Sequence, residues 1–415
     1  MKKVTPIEEG PSRVVWEELE KRVREHAQEW IQRLLEEEVE SFLGRRKSER
    51  RACVDGRAGY RNGHGKPRRL SMMSGTITVR RPRVRATEDP FESRVLPLFV
   101  RRTESVRDLL PELYLHGLSQ GAFELAMRGL LGEGAPLSAS SIARLRGRWQ
   151  AEYEAWAERS LADHDVVYAW ADGIYVKAGL EKEKAALLVV VGALRDGRKE
   201  VLAVVPGHRE SEAAWTEVLR DLAQRGLRPP RLLVADGALG IWAAAAHVWP
   251  TTEEQRCWNH KIANVLDKLP KNAQATAREL LRKIPAAETR KEAEQRREAF
   301  VRRYQRTQPK AVETLLSDWE RMVTFYRFPK EHWKHLRTTN VVESPFAAVR
   351  LRTDAAKRFK RVDNATAMLW KLLRVAEKTF RLLDHAALLR DVYAGRTYRD
   401  GVIEPVSKSE DRAAA

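Results

Sequence analysis

Between residues 166 and 206, three apolar stretches follow one another: VVYAWADGIYV at 166–176, AALLVVVGALR at 185–195 and EVLAVVP at 200–206. Runs this rich in Val and Leu, bounded by turn residues, read as strands buried on both faces. The second and third are joined through RDGRK, where Asp196-Gly197 is a strong signal for a tight hairpin. A helical pattern over 211–225 and a further apolar strand at 231–235 come next, and another helix follows. Three antiparallel strands, a helix and a parallel strand are the opening order of a ribonuclease-H-like α/β fold. The 415 residues leave room for two or three domains around such a sheet.

Asp172 interrupts the first strand and Asp236 ends the last. A carboxylate in a buried strand costs several kcal/mol unless something pairs with it. A strand-end accident, a salt bridge and a metal ligand are the three readings for Asp172. On neighbouring central strands, the two aspartates would hold part of a metal site. Chemistry at a phosphodiester uses two divalent ions about 4 Å apart, held by carboxylates. A third carboxylate must come from a later element, with Glu343, Glu331 and Glu313 as candidates. Asn340-x-x-Glu343 also has the spacing of a capping box, in which the glutamate only closes a helix N-terminus. Pro345 is tolerated in a first turn, so a helix beginning near Glu343 places that side chain at its mouth.

The first 165 residues differ in texture. Val15, Leu19, Val23, Trp30, Leu34, Leu35 and Phe42 fall at helical spacing over 14–43, with Gly44 as a stop, which predicts a packing or dimerisation helix. Residues 45–107 carry 18 Lys/Arg and 6 Asp/Glu, so 18 − 6 = +12 of the chain's net +18. That bias predicts contact with a polyanion, nucleic acid before an anionic membrane surface. Within it, GTITVRRPRVRA alternates like a strand and stops at Pro82, with Arg80, Arg81, Arg83 and Arg85 as phosphate contacts. Two helices broken near Gly117 and at GEGAPLS, then a basic helix capped by Ser138 or Ser140, form a helix-turn-helix pattern. Its last helix would present Arg144 and Arg148 to DNA.

No run of about 18 apolar residues predicts a membrane span, and the N-terminus has no apolar core of a secretory signal. Cys53 and Cys257 stand far apart, against a disulfide framework, so a cytoplasmic location near the nucleoid is expected. The expected divisions are a helix at 1–44, a basic β-rich segment at 45–104 and a helix-turn-helix-like domain at 105–162. The catalytic domain would occupy 163–260 and 331–390 around a helical insertion at 261–330, with a polar, frayed tail from about 391–397 to 415.

DGIYVKAG, GHRESEAAWTEVLRDLAQRGL, LLVADGALGIWAA, QRCWNHKIANVLDKLPK and TTNVVES stand in an order and spacing that resembles the Mutator-type transposases of bacterial insertion sequences. The basic GYRNGHGKPRR is similar too, and the resemblance runs from about Gly59 to about Leu383. It implies a DNA transposase whose DDE triad falls on Asp172, Asp236 and Glu343. The separation 343 − 236 = 107 matches that family's helical insertion. It implies two Mg²⁺ ions, with Mn²⁺ able to substitute, strand cleavage and strand transfer on double-stranded DNA at terminal inverted repeats, and a homodimer or higher oligomer. Cys257-x-x-His260 offers half a zinc site, and the resemblance marks the pair as active-site support. Lys261 and Arg337 become phosphate contacts by charge and position. Two rival readings share these features: a ribonuclease-H-like nuclease without strand transfer, and a DNA-binding regulator with a decayed catalytic domain.

Overall fold

The computed structural model describes residues 11–50, 58–115, 120–131, 139–178, 184–207, 209–237, 240–356 and 358–405. It separates into two compact units, 1–145 and 146–415.

In the first unit, helix α1 (Pro11–Leu43) ends at Gly44, which takes φ 65°. Two hairpin-like pairs follow, built from β1 (Tyr60–His64), β2 (Arg68–Met72), β3 (Gly75–Val79) and β4 (Pro82–Arg85). β2 pairs with β3 and β1 with β4, both antiparallel. Leu35 of α1 packs on Leu70, Ile77, Val79 and Leu96. The α1 amides also serve the open edge of β3. Gln28 accepts from the Thr78 N–H at 3.0 Å, and Gln32 both accepts from and donates to the Arg80 backbone at 2.9 Å. The alternating strand stops short of Pro82, at Val79, and a new strand starts at the proline. Pro82 opens β4, the position in a strand where a missing N–H is tolerated. Only the C-terminal part of α1 is packed: Leu35, Val39 and Leu43 are buried, whereas Val15, Leu19, Val23 and Trp30 remain exposed.

Helices α2 (Glu104–Leu115), α3 (Gln120–Leu131) and α4 (Ala139–Ala157) follow. Ser140 lies inside α4 and so is not its cap; Ser138, Gly117 and Cys53 lie outside the described residues. Leu145 and Trp149 are buried, while Arg144 and Arg148 are exposed.

The second unit is built on a five-stranded mixed sheet of β5 (Val166–Val176), β6 (Ala185–Leu194), β7 (Lys199–Gly207), β8 (Leu232–Ala235) and β9 (Glu253–Arg256), ordered β7-β6-β5-β8-β9. β5, β6 and β7 run antiparallel, and β8 joins β5 in parallel with Ala171 opposite Ala235. The β6–β7 turn forms as its residues dictate: Gly197 has φ 88° and the Asp196 carboxylate accepts from the Arg198 N–H at 2.9 Å. The crossover from β7 to β8 is α5 (Glu212–Gln224), capped by the Ser211 hydroxyl at the Ala214 N–H. Trp215, Val218, Leu219 and Leu222 form one helical face, which packs with α6 (Ile241–Val248) against Ala169 and Ala171 of β5.

The opposite face of β5 carries Tyr168, Trp170 and Asp172 by the two-residue period. Tyr168 hydrogen-bonds His332 at 2.9 Å and Trp170 donates to the His335 carbonyl at 3.0 Å.

β9 was not anticipated. Its sequence, EEQR, has no apolar pattern. Each side chain instead meets a partner: Glu253 with Arg327, Glu254 with Arg321, Gln255 with the Phe325 N–H and the Met322 carbonyl, Arg256 with Asp318. Those partners belong to or flank the helical stretch α7 (Trp258–Leu266), α8 (Lys271–Lys283), α9 (Arg290–Tyr304), α10 (Pro309–Leu316), α11 (Trp319–Met322) and α12 (Trp333–Leu336). Then come α13 (Asn340–Glu343), α14 (Phe346–Ala356), α15 (Val362–Glu377) and α16 (Leu388–Tyr393). The tail is not frayed up to residue 405. A small hairpin of β10 (Tyr398–Arg399) and β11 (Val402–Ile403) is pinned where Asp400 accepts from the Arg290 N–H at 2.7 Å and Gly401 donates to the Tyr326 carbonyl at 3.1 Å.

Candidate active site

The parallel pairing of β5 with β8 brings two carboxylates to one place. Ala171 and Ala235 are in register, so Asp172 on β5 and Asp236, immediately after β8, are the next residues along. Asp172 is only 8% exposed, and Glu210, just before the Ser211 cap, is 6% exposed. One carboxylate oxygen from each of Asp172, Glu210 and Asp236 lies within 4.8 Å of the others. Burial pushes Asp172 up to about 7; Asp236 and Glu343 push the same way, while the Gly173 N–H at 2.8 Å and nearby His260 pull it down. Glu210 is raised for the same reasons, burial first and then Asp236, with a hydrogen bond from Tyr175 opposing. Three acids this close, two of them buried and suppressed in their ionisation, form an oxygen-rich site suited to a hard divalent cation.

Two glycines make this approach possible. A Cβ on Gly173 would lie 2.4 Å from Glu210 Oε1, so the Glu210 carboxylate occupies the space a side chain would take. Gly237 has φ 81°, and a Cβ there would lie 2.6 Å from Nε of Arg256, which itself donates to the Asp236 carbonyl at 3.1 Å.

A second group adjoins the first. Cys257, His260 and Glu343 each offer a ligand atom within 4.8 Å of the others. Cys257 continues from β9 and donates its N–H to the Ala235 carbonyl at 2.7 Å, which ties it to the residue preceding Asp236. Glu343 ends the one-turn helix α13, with Ser344 and Pro345 in the turn before α14. It is therefore not at the mouth of the long helix, which starts three residues later. The Asn340 capping box does not form. Thr339 precedes the turn, and the Asn340 side chain instead accepts from Asn259 at 3.1 Å. The Glu343 carboxylate receives the Thr339 hydroxyl and lies 3.9 Å from His260 Nδ1. His260 is raised to about 9, chiefly through its hydrogen bond with Cys257 and further through Glu343 and Asp236, against the pull of burial.

Of the sequence-derived triad, Asp172 and Asp236 share one group. Glu343 stands in the adjoining one, close enough for its charge to act on Asp172. Glu313 and Glu331 are exposed and belong to neither. Glu210 and Thr339 were not singled out from sequence. Glu210 precedes a helix-capping serine, but so do many glutamates, and nothing in GHRESE separates it from Glu212. Two expected phosphate contacts are corrected. Lys261 is fully buried, its ammonium bonded to the carbonyl and hydroxyl of Ser317, and burial lowers it to about 8. Arg337 is spent on the carbonyls of Pro285 and Trp333 and lies over the Phe325 ring. Both act as internal struts. Arg80, Arg83 and Arg85 are exposed, whereas Arg81 is half-buried, donating to the Phe91 carbonyl at 3.1 Å. Among the described residues, no helix is long and apolar enough to cross a membrane.

Comparison with known proteins gives a consistent result. A family model described as Transposase, Mutator family, matches residues 5–381. The chain is 45% identical over 294 residues to the transposase for insertion sequence element IS6120 of Mycolicibacterium smegmatis, covering 71% of this chain and 91% of that one. It is 39% identical over 292 residues to the transposase for insertion sequence element IST2 of Acidithiobacillus ferrooxidans, covering 70% and 99%. The transposase for insertion sequence element IS256 in transposon Tn4001 of Staphylococcus aureus is 23% identical over 344 residues, covering 82% and 86%.

Proposed function

The chain belongs to the Mutator family of transposases, and from that membership we propose that it binds the terminal inverted repeats of an insertion sequence, cuts at the element's ends and joins the freed strand to target DNA. The observation that carries this reading is that one carboxylate oxygen from each of Asp172, Glu210 and Asp236 lies within 4.8 Å of the others, with Asp172 and Glu210 buried. A divalent cation would offset that much gathered negative charge. The strand order β7-β6-β5-β8-β9, with Asp172 within β5 and Asp236 just past the end of β8, supports a ribonuclease-H-like catalytic core.

Asp172 and Asp236 would hold divalent metal from the sheet, Glu210 from the loop before α5, and Glu343 from α13. Two Mg²⁺ ions, or Mn²⁺ in their place, would supply Lewis-acid stabilisation of the phosphodiester and activation of the attacking hydroxyl group. The protein's own work is positional. The sheet fixes the two aspartates rigidly, and Gly173 admits the Glu210 carboxylate beside them. In the first reaction water attacks at the element's end and leaves a 3′-hydroxyl. In the second that hydroxyl attacks a target phosphodiester in line, and the new P–O bond forms as the target strand's 3′-oxygen leaves. Arg80, Arg83 and Arg85 on the β3–β4 segment would contact phosphates, with Arg81 contributing only from its half-buried position. Arg144 and Arg148, four residues apart on α4, would read bases. Assembly as a homodimer or higher oligomer would bring two ends together.

The test is an oligonucleotide carrying the inverted repeat, incubated with protein, Mg²⁺ and a target plasmid. Joined product supports the reading. Cleavage without joining would mean a nuclease, and repeat binding with neither would mean a regulator.

A further inference from the structure

Taking as its premise the reading that Glu343 is a metal ligand, we propose that Thr339 positions the Glu343 carboxylate, and that Cys257 serves as the anchor for Thr339 rather than as half of a zinc site.

Thr339 is fully buried and meets Glu343 twice. Its carbonyl accepts the Glu343 N–H at 3.0 Å, and its hydroxyl donates to Glu343 Oε1. The same hydroxyl lies 3.2 Å from Cys257 Sγ and 3.5 Å from His260 Nδ1. A hydroxyl has one proton to give. The carboxylate is the stronger acceptor and the closer one, so the proton goes to Glu343. Cys257 Sγ still receives the Thr339 backbone N–H at 3.3 Å. That bond fixes the threonine backbone, and the Cys257 N–H on the Ala235 carbonyl fixes the cysteine. A continuous hydrogen-bonded path therefore runs from the residue before Asp236, through Cys257 and Thr339, to Glu343.

Glu343 needs this support because its own backbone provides little. α13 is one turn long and Pro345 breaks it from α14. A glutamate has three rotatable side-chain bonds, and a single turn does not select among its rotamers. The Thr339 hydroxyl selects one, and Asp236 and Glu343 are thereby held to a common frame although 107 residues (343 − 236) separate them. Cys257-x-x-His260 and Thr338-Thr339-Asn340 then become two halves of one device, with His260 beside the carboxylate it helps to place.

The experiment compares Thr339→Val, which keeps the shape and removes the hydroxyl, with Thr339→Ser, which keeps the hydroxyl. Full-length protein is titrated with Mn²⁺ by electron paramagnetic resonance, and cleavage of repeat DNA is measured against Mg²⁺ concentration. Thr339→Val should weaken Mn²⁺ binding and raise the Mg²⁺ requirement by roughly ten-fold, in the range for residues that orient metal ligands. Thr339→Ser should restore both, and affinity for repeat DNA should not move. In a Glu343→Gln background the Thr339→Val effect should vanish, which a general packing role would not produce. If Thr339→Val fails to fold, Thr339→Ala takes its place in the same cycle. Wild-type Mn²⁺ affinity in the threonine variant, with weakened binding in Glu343→Gln, overturns the positioning role while leaving the ligand reading intact. Wild-type Mn²⁺ affinity in Glu343→Gln overturns the ligand reading itself. Stoichiometric zinc in the purified protein, absent after Cys257→Ser, would also overturn the proposal, because zinc and not Thr339 would then hold Glu343.

Discussion

Gly173 and Glu210 share one volume: the carboxylate of the second stands where the first would carry a side chain, 2.4 Å from its ideal Cβ. Gly173→Ala should therefore fold, since β5 is regular at that position, but must expel Glu210 from beside Asp172. Cleavage of repeat DNA should fall by about 10- to 100-fold and the Mg²⁺ requirement should rise. Glu210→Gln should reproduce the defect without the steric change. Normal metal titration in both variants would remove Glu210 from the site.

Asp172→Asn should separate stability from activity. The folded value for Asp172 is about 7, against an ordinary 3.8. The folded protein thus binds this proton more tightly than the unfolded chain does. The corresponding stability is full below about pH 4 and disappears as pH rises through 7. Without metal at pH 8, the asparagine variant should be more stable than the wild type, by up to about 4 kcal/mol for three pH units. It should show no thermal shift on adding Mg²⁺ and no cleavage. A metal-free melting curve in which the variant is the less stable protein at pH 8 would contradict this.

Lys261→Met should lower thermal stability by removing the hydrogen bonds to Ser317 while leaving the salt dependence of DNA binding unchanged. A slope reduced by about one unit would mean that Lys261 reaches phosphate after all.

Replacing Arg80, Arg83 and Arg85 by Ala should weaken binding to repeat and unrelated DNA alike and flatten the salt slope by up to about 0.9 for each phosphate no longer neutralised. An unaltered slope in filter-binding titrations would make the segment structural.

Arg144→Ala and Arg148→Ala should instead discriminate. Each should cost roughly 1–3 kcal/mol on the inverted repeat and less on random duplex, measured by competition at one salt concentration. Equal effects on both DNAs would assign this helix to backbone contact.

The central sheet was legible because β5 to β8 are almost purely apolar and punctuated by Asp196-Gly197 and the Ser211 cap. β9 was not, because its four polar residues are satisfied by groups 60 to 75 positions away, such as Gln255 on Phe325, a pairing no local pattern encodes. The same distinction governs the site. Asp172 and Asp236 stood out as charges against apolar strands, whereas Glu210 and Thr339 lie among polar neighbours and gain their meaning only from what packs beside them. Charge alone misplaced Lys261 and Arg337: burial with backbone carbonyl partners leaves no trace in the sequence.

The meeting of Cys257 with Thr339 also closes a ring. The Trp258 N–H reaches the Arg337 carbonyl at 2.9 Å, so the chain between them departs from the end of β9 and returns to nearly the same point. Loop-closure entropy grows only logarithmically, about 0.6 kcal/mol for each doubling of length. With the two ends clasped, the position of the Glu343 carboxylate is set at the clasp and not by the length of chain between its ends. The chemistry is thereby tied to the two ends of this long excursion and not to its contour.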